Sequence, residues 1–282
     1  MSSQLTTGSW FTVKARRELP ATLRQGLWRY FFVALAVSYA LVAVGGFAPE
    51  LFRGPDLAHP LLAYMHGALM SAWLLLLIVQ ASFAASGVLK WHRTLGLASI
   101  SLATLIWVSM GVVSVAQLSK FPFYDTLLTQ LYVMVLFALF FVWGILVRRD
   151  ASSHKRLLAL ATLVLLQAAV DRMDWLPDFG SHQFWPYALR LDVLILPLFV
   201  FDFVSIKRIH PITLIGTGAI LTGQAAISLI MAMPTWYNFA HPVTSPSSMK
   251  SAPNPSLQPT VSPSAPLPSQ RFAQLGAAEL QR

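Results

Sequence analysis

From residue 28 onward the chain alternates long, almost uncharged apolar runs with short connections that carry the charge. Each run is close to the roughly 20 residues that a helix needs to cross the hydrocarbon core of a bilayer. Seven such runs can be counted, at about 28–48, 60–86, 92–116, 124–147, 154–175, 184–204 and 211–233. The fifth and sixth are pierced by charges, among them Asp171, Arg172 and Asp174 in the fifth and Arg190 and Asp192 in the sixth. The pattern predicts an all-α, polytopic transmembrane helix bundle of seven spans.

Composition narrows the class. Of 282 residues, 56% are hydrophobic and 11% charged, against roughly 25% charged in soluble domains. The mean hydropathy is +0.61. Collagen-like, disulfide-stapled and globally disordered classes are excluded. The formal charge of +9 would suggest nucleic acid in a soluble chain, but here the cations sit between apolar runs. The expected partner is the lipid bilayer and not nucleic acid. Lys14, Arg16, Arg17, Arg24 and Arg29 precede the first span. Lys90 and Arg93, then Arg148, Arg149, Lys155 and Arg156, then Lys207 and Arg208 follow the second, fourth and sixth. The opposite connections offer Arg53 and Lys120. By the positive-inside rule the N-terminus is cytoplasmic and the C-terminus outside.

The domain organisation follows. Residues 1–27 form a basic cytoplasmic segment, 28–233 the membrane domain, and 234–282 a tail. The first span has no small-residue cleavage site before Glu50 and reads as a retained signal-anchor. Residues 242–282 hold 8 of the 18 prolines and as many serines, a composition that predicts disorder. Small residues in the third span (Gly96, Ser99, Ala103) and the seventh (Gly216, Gly218, Ala219, Gly223) permit close helix packing, with a homodimer face as the alternative use.

Cysteine is absent, which removes thiol catalysis, disulfides and iron–sulfur ligation. A metal or haem must be held by His, Met or carboxylate. No phosphate-binding loop, dinucleotide fingerprint, zincin helix or nucleophile elbow occurs. Three constellations remain. His59, His66, Trp73 and Gln80 recur every seven residues and share one helix face, as an interior polar seam or, at His66, as a ligand position. His92, His154 and His210 open three helices at the basic side. There a cation would oppose the helix dipole, so the imidazoles are expected to be neutral, the form that binds iron. The plainer reading makes them interface residues beside the positive-inside charges. Third, Asp171, Arg172, Asp174, Arg190 and Asp192 form an ionisable layer in the other leaflet. Its natural pairs are Arg172 with Asp192 and Arg190 with Asp171, as a latch between helices or as the lining of an outward-facing pocket with His66.

His66, Gly67, Trp73, Gln80, His92, Arg93, Leu95, Gly96, His154, Lys155, Arg156, Leu157, Asp171 and Arg172 resemble a group of uncharacterised bacterial multi-pass membrane proteins, over about residues 59–210. The resemblance implies a bacterial inner-membrane location. The His-Arg-x-x-Gly start of the third span is similar, more distantly, to cytochrome b561-like transmembrane haem proteins. Those pair histidines near both membrane faces, whereas the fourth span here has none, so an outer haem on His66 would need His182 or His241. The equal-depth histidines with flanking Arg and Lys, together with that likeness, suggest a b-type haem in a membrane redox or electron-transfer protein, with His66, His92 and His154 as iron ligands and Arg93, Arg156 and Arg172 as propionate partners. No catalytic residue is expected. The alternatives are a small-solute or proton-coupled carrier using Asp171, Arg190 and Asp192, and a non-catalytic scaffold or sensor. The redox partner or solute is not named by any motif.

Overall fold

Lipid offers no hydrogen-bond partner to a backbone, so an apolar chain in a bilayer must satisfy its own amides, and the helix does this within one segment. The computed structural model describes residues 26, 28–53, 60–118, 124–173 and 184–240, and all regular structure among them is helical. The elements are α1 (Phe31–Arg53), α2 (Pro60–Ser86), α3 (Leu89–Gln117), α4 (Tyr124–Leu146), α5 (Ala151–Leu165) and a short α6 (Gln167–Val170). They continue with α7 (Phe184–Asp192), a 3-10 turn (Val193–Ile195), α8 (Leu196–Ile206), α9 (Pro211–Ala232) and α10 (Pro234–Ala240). The basic N-terminal segment, apart from the residue at 26, and residues 241–282 lie outside the described residues. Residues 234–240, which the sequence assigns to the tail, form α10.

Six helical stretches are long and apolar enough to span a membrane: Phe31–Glu50, Pro60–Ser86, Leu89–Gln117, Tyr124–Leu146, Ala151–Val170 and Pro211–Ala232. The expected sixth run is instead two helices joined at the 3-10 turn. Pro197 lacks an amide hydrogen and cannot bond the carbonyl four residues back. The Leu196 N–H closes on that same Val193 carbonyl, tightening the turn.

α5 is the centre of the bundle. Its span is the least apolar of the six, yet 78% of it is buried, against 11–39% for the other five. α1, α4 and α9 pack around it, α2 packs on α1 and α3, and α3 also meets α4. Leu157, Leu160 and Leu163 of α5 meet Ile106, Phe137, Phe140, Leu198 and Ile220 in a fully enclosed core. Trp73 of α2 lies edge-on to Phe137 and Phe141 of α4 and donates its indole N–H to Thr162 of α5 at 3.1 Å. The expected interior seam is therefore real at Trp73. The outer helices turn Leu41, Leu61, Leu97, Leu105, Leu146, Phe203 and Leu229 outward. Apolar faces of that extent belong against lipid, and the chain is an integral, multi-pass membrane protein.

Two devices set the helix spacing. The first is the absence of a side chain. A Cβ on Gly216 would sit 2.3 Å from Leu160 of α5, and one on Gly223 2.4 Å from the Tyr132 ring of α4. At Gly46 of α1 it would sit 2.1 Å from the Ala169 carbonyl oxygen of α6. Gly218, by contrast, faces open space. The second is an ion pair. Arg156 of α5 and Asp202 of α8 are 1% and 0% exposed, and the Arg156 Nε–H donates to Asp202 Oδ1 at 2.9 Å. Its remaining amine group donates to the Ser152 carbonyl (2.7 Å) and hydroxyl (2.8 Å). Asp202 Oδ2 accepts from the His210 backbone N–H (3.0 Å) and the Thr213 hydroxyl (2.6 Å) of α9. Lys207 makes this reach short by taking the left-handed conformation, φ 60°, at the end of α8. One carboxylate thus joins α5, α8 and the start of α9.

Removing one partner of such a pair strands a buried charge and typically costs about 3–5 kcal/mol, whereas replacing both with apolar residues is often neutral. Asp202→Ala should therefore lower the unfolding free energy by about that amount in detergent, and the Arg156→Met/Asp202→Leu double variant should recover most of it. Gly46→Val forces backbone apart from backbone. It should cost at least the ~1–3 kcal/mol of an overpacked core, visible as a lowered Tm, while Gly218→Val should leave Tm unchanged.

Candidate functional site

Two of the histidines expected as ligands meet. His92 sits in the first turn of α3 and His154 in the first turn of α5, and their ring centres are 6.4 Å apart with the planes at 89°. Each Nδ1 points at a main-chain oxygen, His92 at Gln80 of α2 (3.2 Å) and His154 at Gly144 of α4 (2.7 Å). A carbonyl only accepts, so each Nδ1 carries the hydrogen, and a neutral ring keeps its lone pair on Nε2. No hydrogen bond engages either Nε2 among the described residues. Fixing the tautomer through a backbone carbonyl is how metal-ligating histidines are oriented.

The pair lies in an apolar cleft between the α2–α3 and α4–α5 hairpins, walled by Trp73, Gly96, Phe141, Ile145 and Leu158. Water-sized molecules find about 60 Å³ of room in it, and the space is about 430 Å³ when its open side is counted. Gln80 of the predicted seam also lines it. That side chain is 9% exposed, and neither end of its amide has a partner among the described residues. The cleft therefore offers two imidazole lone pairs and one free amide in otherwise apolar walls.

The other expected site residues go elsewhere. His66 donates from Nδ1 to Ser109 of α3 at 2.8 Å, because that hydroxyl already donates to the Ile106 carbonyl. His66 is thus tied to α3 in the opposite half of the bundle, away from the histidine pair, and His59, His182 and His241 lie outside the described residues. Arg93 is exposed at the start of α3. Arg156 is committed to Asp202 in the buried network and is withdrawn from the propionate role expected for it. His210 caps α9, its Nδ1 accepting from the Ile212 N–H at 3.2 Å. Burial and the nearby Arg156 hold its pKa below the ordinary value, in accord with the neutral state expected at a helix start. Asp150 caps α5 in the same way, accepting from the Ser152 N–H at 3.0 Å. Hydrogen bonds from Ser153 and Ser152 keep its carboxyl below the ordinary range.

In the second ionisable layer one expected pair is corrected. Arg172 bonds Glu50 of α1 at 2.7 Å and lies over the Phe47 ring, not against Asp192. Asp192 instead accepts from the Gln224 amide of α9 at 3.0 Å. Asp171 accepts from Gln167 at 2.6 Å and lies in the positive fields of Arg172 and Arg190. Asp174 lies outside the described residues. Glu50, Asp202 and Gln224 were not anticipated. Asp202 carried a readable signal as the one charge in the run LILPLFVFDFVSI, because an isolated acid at membrane depth demands a cation. Gln224 carried none, since a glutamine in a span does not announce its partner.

Neither a protein-family model, nor a curated protein, nor a solved structure matches the chain. The site is therefore read from its own chemistry.

Asp171 follows directly on the fifth span, and its burial pushes the carboxyl from 3.8 up to about 6. The folded state then holds a proton that the unfolded state releases, so stability falls as pH rises through that interval. Thermal unfolding of the purified protein across this range should show the decline, and Asp171→Asn should flatten it.

Proposed function

We propose that this is a seven-span protein of the bacterial inner membrane, N-terminus in and C-terminus out, that carries electrons through a b-type haem held by His92 and His154. The sixth span in this reading is the broken stretch from α7 through α8, and the orientation follows the basic connections. The single observation that carries the functional reading is the meeting of the two imidazoles. His92 and His154 would hold the iron between them, their ring centres standing 6.4 Å apart. Their Nδ1–carbonyl bonds leave each Nε2 free to ligate, in a cleft whose walls are mostly apolar. Iron so held supplies one-electron chemistry when bound. Arg93 is the cation free to meet a propionate at this end, and Gln80 contributes the polar contact inside the cleft.

A second reading rests on the room available. About 60 Å³ suits a single ion and a few waters, so a macrocycle needs the open side of the cleft as well. A lone transition-metal ion between the same imidazoles, with the Gln80 amide oxygen as a third donor, uses only the inner part. Imidazole suits iron, copper and zinc alike. The outer charged layer favours a latch over a carrier pocket, since Arg172, Asp171 and Asp192 each have a partner inside the bundle.

An optical spectrum of detergent-purified protein from haem-sufficient cells, oxidised and then reduced with dithionite, separates the readings. A Soret band that shifts and sharpens on reduction, and is lost in both His92→Ala and His154→Ala, is expected. A colourless protein carrying a stoichiometric metal ion that both variants lose would transfer the assignment to the second reading. Haem retained in both variants would remove this pair from the site.

A further inference from the structure

The contact between α7 and α9 is incomplete in a specific way. Gln224 is fully buried, and its Nε2 donates to Asp192 Oδ1 at 3.0 Å. The remaining polar atom of each group, Asp192 Oδ2 and Gln224 Oε1, is buried with no hydrogen-bond partner among the described residues. Two leftover acceptors on two groups already joined by one hydrogen bond cannot satisfy each other. A carboxylate and an amide oxygen both only accept, and an orphaned acceptor away from water is costly. One proton removes both defects. Placed on Oδ2, it turns the carboxylate into a donor toward Gln224 Oε1 while Oδ1 still accepts from Nε2, and the pair closes as a reciprocal acid–amide ring.

We propose that Asp192 is a proton-binding group of the membrane domain, held at neutral pH as the uncharged acid and locked to Gln224 by two reciprocal hydrogen bonds. The groups around it agree. From α4, Tyr132 faces the site, but its hydroxyl hydrogen is spent on the Ile220 carbonyl at 2.9 Å. From α6, Gln167 donates to Asp171, and the cation on Asp192's own helix, Arg190, lends its field to Asp171. α5, which packs on the adjoining 3-10 turn, keeps its ionisable residues His154, Lys155 and Arg156 at its other end.

The position gives the proton a way out. Asp192 ends α7 where the helix breaks into the Val193–Ile195 turn ahead of Pro197. Interrupted helices are where membrane transporters place the groups that bind coupling ions. When the break opens, the Asp192 O–H bond parts and the proton passes to water, leaving a carboxylate that Gln224 Nε2 still holds. Re-protonation reverses the step. The site is separate from the histidine pair and stands or falls without it.

Infrared difference spectroscopy of the purified protein at neutral pH tests this directly. A protonated-carboxyl C=O stretch should be present, disappear in Asp192→Asn, and shift to higher frequency in Gln224→Leu, where the acid loses its amide partner. In the wild type that band should persist through neutral pH and vanish on the alkaline side. An unchanged carboxyl region in Asp192→Asn would overturn the proposal. If Asp192→Asn does not fold, Gln224→Leu carries the test alone, and a band that does not move overturns it equally.

Discussion

A polar side chain inside a bilayer has no water to fall back on, and this protein is organised around meeting that demand at α5. The helix has the lowest hydropathy of the six spanning stretches and the deepest burial. Both properties have one cause. Arg156, Thr162 and Gln167 need partners that lipid cannot supply, so the helix must be surrounded by helices that can. Asp202 and Trp73 answer the first two and fix the places of α8 and α2, while Asp171 answers Gln167 of α6. The apolar helices then close the ring and present their Leu, Val and Phe faces to the acyl chains.

The same requirement explains why the His92–His154 cleft stands out. Elsewhere in the buried interior polar atoms are largely spent on each other. The Arg156–Asp202 network uses both carboxylate oxygens and satisfies the guanidinium on two helices. In the cleft the accounting stays open among the described residues: both ends of the Gln80 amide are unspent, and the histidines bond through Nδ1 alone. At the other end of the bundle Asp192 and Gln224 leave a pair of oxygens unspent as well. Interior polar groups without partners are rare in folded proteins, and among the described residues these two places each bring more than one together, whereas Tyr39 Oη and Gln117 Oε1 are single atoms elsewhere.

Close approach is the second structural requirement, and it falls on glycine. At Gly46, Gly216 and Gly223 a single added carbon would collide with the neighbouring helix. Gly216 and Gly223 belong to a stripe recognisable from its spacing, although Gly218 in the same stripe packs against nothing. Gly46 was not recognisable, because its partner is the backbone of α6, more than a hundred residues away in the chain.

The sequence by itself determined what is local: an all-helical membrane protein, the helix boundaries set by charge and proline, the end of the bundle that carries the cations, and the histidines at helix starts. Those features depend on hydrophobic period and on contacts a few residues apart. It named His92 and His154 as candidates but could not bring them together, since nothing in the order of spans says that the third and fifth adjoin. Tertiary structure alone decided that adjacency. It also decided the exchange of Asp192 for Glu50 beside Arg172, the recruitment of Arg156 by Asp202, and the joining of Asp192 to Gln224. The reason is physical: an ionisable group in a low-dielectric interior is compelled to find a partner, but which partner depends on helix depth, rotation and neighbour. Those three quantities are set by the packing of side chains distant in the chain, Leu160 against Gly216 and Trp73 against Thr162 among them.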